Sequence, residues 1–159
     1  MSKPISYNSE FLPEITIAVI FSDSPQYEKL TSFFKEYGYG FLVPNKNLVV
    51  IDGENIVDNF DSDVLKFIEA HEIAHIILGH DGPRNDEEEM DADLGAYILL
   101  KNKNLSTDRL IDEFEYRHGI EFSEDLINKI GNKFPHTLRE NSIINWELHQ
   151  QLMKNKNRI

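Results

Sequence analysis

His71 and His75 stand four residues apart with Glu72 between them, in the stretch Ala70-His71-Glu72-Ile73-Ala74-His75-Ile76-Ile77-Leu78-Gly79-His80. On a helix each residue turns by ~100°, so the two imidazoles lie within roughly 40° of each other, one turn apart. Stacked that way, both can reach one Zn2+ at ~2.0–2.1 Å. Glu72 falls ~60° round the helix from His75, near enough to touch a metal-bound water without being a ligand. The chemistry this suits is metal-assisted hydrolysis with a carboxylate as general base. Two satisfied core histidines on a buried helix would have the same spacing. The flanking residues must decide.

A catalytic zinc needs three protein ligands and one open position. Glu89 and Asp93 follow the pentamer at helical i,i+4 spacing, on the face that Ala92, Ala96 and Leu100 turn inward. A carboxylate on an inward face needs a partner. Glu89 is therefore expected to be the third ligand. Asp93 is expected to hold the far nitrogen of a zinc-bound histidine and so fix its tautomer. A capping box, with Asp86 as N-cap and Glu89 three residues on, would also explain Glu89 but leaves Asp93 unexplained. His80, on a continuing helix, points ~140° away from His75, so it is assigned to the helix end after the break at Gly79.

The elements that must position these groups follow from periodicity. Ile15 to Phe21 is β-branched and almost continuously apolar, a buried strand. Ser24 can cap a helix that Pro25 opens, with Leu30, Phe33, Phe34 and Tyr37 as its apolar stripe and Gly38 as its end. Tyr39 to Val43 and Leu48 to Asp52 read as an antiparallel hairpin through Pro44-Asn45-Lys46-Asn47. The motif helix starts after a cap at Asp61 or Ser62 and is apolar round much of its circumference, which marks it as buried. Burying two histidines and a glutamate is costly unless they pair or bind something. Beyond a turn-rich stretch, a second helix runs from about Glu89 to Asn102.

Three shorter helices are expected after it. One is capped at Ser106 or Thr107 and ends at Gly119, one is capped at Ser123, and the last carries the capping box Thr137-Leu138-Arg139-Glu140. They are read as packing round the core, in a single domain over 1–159 whose core spans about 15–103 and whose helical part spans 104–159. Tyr97, Tyr116, His118, His136 and Arg139 are candidates to stabilise an oxyanion, and the sequence does not choose among them.

Composition narrows the partners. The chain has no cysteine, which excludes disulfides, Cys-ligated zinc and a thiol nucleophile. A net charge of −12 over 159 residues argues against a nucleic-acid groove or an anionic membrane as main partner. The first 14 residues lack a signal-peptide pattern and no apolar run approaches the ~20 residues that span a bilayer, so a cytoplasmic location is expected.

His71, Glu72 and His75, followed by Glu89, Ala92 and Asp93 as Glu-x-x-Ala-Asp, resemble the gluzincin metallopeptidases. Over about 39–100 the chain is most similar to their ImmA/IrrE-type or minimal branch, with Asp93 standing where that type commonly carries Asn. The resemblance implies an α+β, zincin-like fold: a short, partly antiparallel sheet on an active-site helix and a second, ligand-bearing helix. It also implies a zinc-dependent endopeptidase acting on a peptide or protein, with zinc on His71, His75 and Glu89 and Glu72 activating the zinc-bound water. The rival expectation is an acidic interaction or regulatory protein, such as a nucleic-acid mimic, that keeps the helices only as scaffold. Mn2+, Co2+ and Ni2+ would suit the same donors.

Overall fold

The computed structural model describes residues 5–37, 40–43, 46–55, 62–80, 85–130 and 133. Its elements are β1 (Ile5–Asn8), β2 (Thr16–Ile20), α1 (Tyr27–Tyr37), β3 (Gly40–Val43), β4 (Leu48–Asp52), a 3-10 turn (Gly53–Asn55), α2 (Ser62–Leu78), α3 (Asp86–Asn102), α4 (Asp108–His118) and α5 (Glu124–Ile130). The class is α+β, as the residue pattern implies. The four strands form one mixed sheet in the order β1-β2-β4-β3.

Period-2 alternation gives the sheet two apolar faces. Ile17 pairs with Val49 and Val19 with Ile51 across the parallel β2–β4 junction, and all four face the main core with α2. Ile20 and Val50 point the other way, where Phe34 of α1 and Phe41 close a smaller core. The hairpin expectation holds: β3 and β4 are antiparallel, with Gly40 opposite Ile51 and Val43 opposite Leu48. β3 is an edge strand among the described residues.

β1 is absent from the sequence reading. Its Ile-Ser-Tyr-Asn is short and mostly exposed, so it carries no apolar alternation to detect. What holds it is polar: the Tyr7 hydroxyl donates to Glu69 Oε1 and the Ser9 hydroxyl to Glu69 Oε2, each at 2.7 Å. The opening of α1 also differs from expectation. The helix begins at Tyr27, and Ser24 closes a preceding turn by accepting at its carbonyl from Tyr27 N–H, while its side chain meets Gln26 rather than a helix N–H. Gly38, Pro44, Asp61 and the capping box at 137–140 lie outside the described residues.

α2 is buried on nearly every side because it is enclosed between the sheet and α3. Ala70, Ile73 and Ala74 are fully covered, as are Ala92 and Ala96 of α3, and the four alanines let the two helix axes approach closely. α4 lays Leu110 and Phe114 into the same core and ends at Gly119, whose φ of 68° is left-handed as the stop signal requires. α3 starts at Asp86, three residues before the expected start near Glu89, and its cap is Asn85 rather than the alternative Asp86: Asn85 accepts at Oδ1 from Glu88 N–H at 2.9 Å. Glu89 therefore has no capping-box duty. Its side chain is available to α2.

Candidate metal centre

α2 presents His71 and His75 one turn apart on the side facing α3, and their Nε2 atoms lie 3.1 Å apart. Glu89, in the first turns of α3, spans both. Its Oε2 is 3.1 Å from His71 Nε2 and its Oε1 is 3.1 Å from His75 Nε2. A tetrahedral ion with ligands at about 2.0–2.1 Å sets its ligand atoms about 3.3–3.4 Å from one another. Each imidazole nitrogen stands close to that spacing from the other and from one of the two Glu89 oxygens. Glu72 borders the same point, with Oε2 4.0 Å from His71 Nε2.

His71, Glu72 and His75 are all buried, and one ligand atom from each lies within 4.8 Å of the others, so this group could hold a metal ion. Of the two acids Glu89 stands nearer the imidazoles, with an oxygen 3.1 Å from each Nε2, while Glu72 Oε2 lies 4.0 Å from His71 Nε2.

The far side of the cluster is organised by Asp93, which has no exposed surface. An ionised carboxylate only accepts, so His71 must carry its proton on Nδ1 and donate to Asp93 Oδ1 at 2.8 Å. This orients His71 Nε2 inward. Asp93 is held in turn from α4, by Arg117 Nη2 on Oδ1 at 2.6 Å and His118 Nε2 on Oδ2 at 2.8 Å. Arg117 also comes within 3.7 Å of Glu89 Oε2 and lies over the Phe67 ring.

Electrostatics at the cluster favour a positive charge at its centre. Burial disfavours an imidazolium at His71, but the Asp93 charge, hydrogen bonds to Asp93 and Glu89, and the Glu72 charge outweigh it and raise its pKa to about 9. Burial likewise works against the Glu89 carboxylate, yet hydrogen bonds with both histidines, and their charge, hold it well below the usual carboxylate range. Asp93 is held low in the same manner, against its burial, by His71, His118 and Arg117. Acidic side chains converging on two inward nitrogens form a donor set that a divalent cation satisfies.

Three contacts escaped the sequence reading. His80 does not point away from His75: their Nδ1 atoms are 2.9 Å apart, because α2 stops at Leu78 and the chain turns back. Arg117 and His118 depend on where α4 docks, which no local spacing reveals. His118, one of the oxyanion candidates, backs Asp93. Of the other oxyanion candidates, Tyr97 accepts at its hydroxyl from Lys101 and packs on Phe122, and Tyr116 is 87% exposed. His136 and Arg139 lie outside the described residues.

No family model, no curated protein and no solved structure matches this chain. Among the described residues no helix is long and apolar enough to cross a membrane.

Proposed function

We propose that this chain is a zinc-dependent endopeptidase of gluzincin type. The observation that carries the reading is the triangle of His71 Nε2, His75 Nε2 and the Glu89 carboxylate, with Glu72 at its border. These three residues would hold the ion, and the donor set of two imidazoles and one carboxylate suits zinc. Bound there, zinc supplies Lewis acidity, acidifying water and polarising a carbonyl.

The remaining work belongs to side chains. Glu72 takes the proton from the attacking water and returns it to the leaving amine, a role that needs a carboxylate near the cluster but outside the ligand set. Asp93 keeps the His71 proton on Nδ1, so that Nε2 stays a donor to the ion. β3 offers the substrate a place. It lies at the sheet edge, and a Cβ added at Gly40 would sit 3.4 Å from Glu72 Cγ, so this strand passes directly beside the general base. A peptide added to that edge as another strand would bring its backbone alongside Glu72.

A binding protein that merely retained the helices would have no use for Glu72 as a proton-transfer group outside the ligand set. The deciding comparison is wild type against Glu72→Gln, both zinc-loaded, on a broad peptide library read by mass spectrometry. Glu72→Gln should keep its zinc and lose cleavage by at least 10²-fold, the scale of a lost general base. Equal cleavage by both proteins, or none by wild type, overturns the proposal.

A further inference from the structure

α2 ends in a reversal built from two hydrogen bonds. Gly79 N–H donates to the Ile76 carbonyl at 3.1 Å, and His80 N–H donates to the His75 carbonyl at 3.0 Å. Gly79 takes the left-handed φ of 76° that this requires. The pair of bonds is the Schellman arrangement, which folds the second residue past the helix back over the residue five before it. The two side chains that meet there are commonly apolar. Here they are imidazoles.

His80 Nδ1 lies 2.9 Å from His75 Nδ1, with the ring centroids 5.1 Å apart and the planes crossed at 62°. Two ring nitrogens at that distance share one proton, so one ring donates and the other accepts. His75 Nε2 faces His71 and Glu89. If that nitrogen offers its lone pair to an ion, the proton of a neutral His75 sits on Nδ1. His75 is then the donor, and His80 accepts at Nδ1 while carrying its own proton on Nε2. The division repeats the one at His71, whose Nδ1 donates to Asp93 at 2.8 Å.

We infer that His80 is a positioning residue of the metal centre, fixing the tautomer and ring orientation of His75 as Asp93 does for His71. The assignment rests on the metal-site reading above. It gives each histidine an acceptor on its far nitrogen, an anion for one and a neutral ring for the other. A simple helix-end role for His80 would change the stability of α2 and leave ion affinity alone. A positioning role does the reverse.

Zinc affinity measured by competition with a chromophoric chelator separates these outcomes for wild type, His80→Leu and His80→Asn. Leucine keeps the apolar contact usual at this turn but removes the acceptor, and asparagine restores one through Oδ1. His80→Leu should bind zinc about 10–100-fold more weakly than wild type, the usual cost of losing such a partner. His80→Asn should recover most of that loss, and all three metal-free proteins should melt at similar temperatures. In nitrogen-15 NMR of the zinc-loaded proteins, the His75 Nδ1 proton should be protected in wild type and exposed in His80→Leu. Wild-type affinity in His80→Leu, or no recovery in His80→Asn, overturns the assignment while leaving the metal site standing. A wild type that does not take up zinc overturns both.

Discussion

Asp93 and Glu69 are each fully buried and each held by three donors, yet they serve different ends. Asp93 takes its donors from His71, Arg117 and His118 and so acts on the centre. Glu69 takes its donors from Tyr7, Ser9 and Lys66 and ties β1 to α2. The second arrangement has a pH signature. Burial first, then the Glu69 charge and hydrogen bond, push the Tyr7 hydroxyl well above its ordinary value of 10.0. A group whose pKa is raised by folding contributes stability in full below its unfolded pKa and loses it as pH rises toward the folded one. Between about pH 9 and 11 the unfolded chain releases the Tyr7 proton while the native chain keeps it, so unfolding becomes easier. After solvent screening of this partly exposed ring, the loss attributable to Tyr7 is up to about 1 kcal/mol. Urea unfolding at both pH values should show a smaller alkaline loss in Tyr7→Phe than in wild type; equal losses would contradict it. At this scale the spacing of His71, Glu72, His75, Glu89 and Asp93 was legible because all lie on two regular helices. His80 was not, since extending α2 past Gly79 sends it to the wrong side. Read instead as a Schellman end, the Gly79-His80 pair puts it over His75. Glu69 was missed because an acid in an apolar helix gives no sign of which distant hydroxyls will meet it.

Elements position the site through close approaches that small residues allow. At the β3–α2 contact a Cβ on Gly40 would lie 2.7 Å from the Val50 carbonyl oxygen, a backbone atom unable to move aside alone. Gly40→Ala should therefore push β3 away from β4 and from Glu72, at a cost of about 1–3 kcal/mol. For a chain of this length that corresponds to a melting temperature lower by roughly 2–12 °C, measurable by calorimetry. An unchanged melting temperature would mean that β3 absorbs the methyl without moving. The strands that announce themselves are those with an apolar face, β2, β3 and β4, and their order in the sheet is consistent with a hairpin added beside a central strand. β1 was silent because its attachment is a pair of hydroxyls on Glu69 rather than an apolar stripe. α4 was visible as a helix from Leu110, Phe114 and Gly119. Its part in the site was not, because Arg117 and His118 meet Asp93 only after α4 packs on α2 and α3.

Across the whole molecule, the candidate metal cluster joins three helices that also share the apolar core. His71 and His75 come from α2, Glu89 and Asp93 from α3, and the Arg117–His118 pair from α4. An ion bound there is lost on unfolding, so it shifts the folding equilibrium by mass action. At free zinc of 100 times its dissociation constant the gain is about 2.7 kcal/mol, which at roughly 2–4 °C per kcal/mol raises the melting temperature by roughly 5–11 °C. The chain's charge of −12 acts in the same direction, because adding a divalent cation relieves self-repulsion in the compact state. Magnesium at matched ionic strength separates the two contributions: it screens the charge equally but disfavours a site with two imidazole donors. Zinc should therefore raise the melting temperature well beyond magnesium, and a chelator should reverse the difference. His71→Ala should respond to the two ions alike, because it loses a ligand while the surface charge stays as it is. A zinc response equal to the magnesium response in the wild type would reduce the effect to charge screening and leave the helices to the apolar core alone.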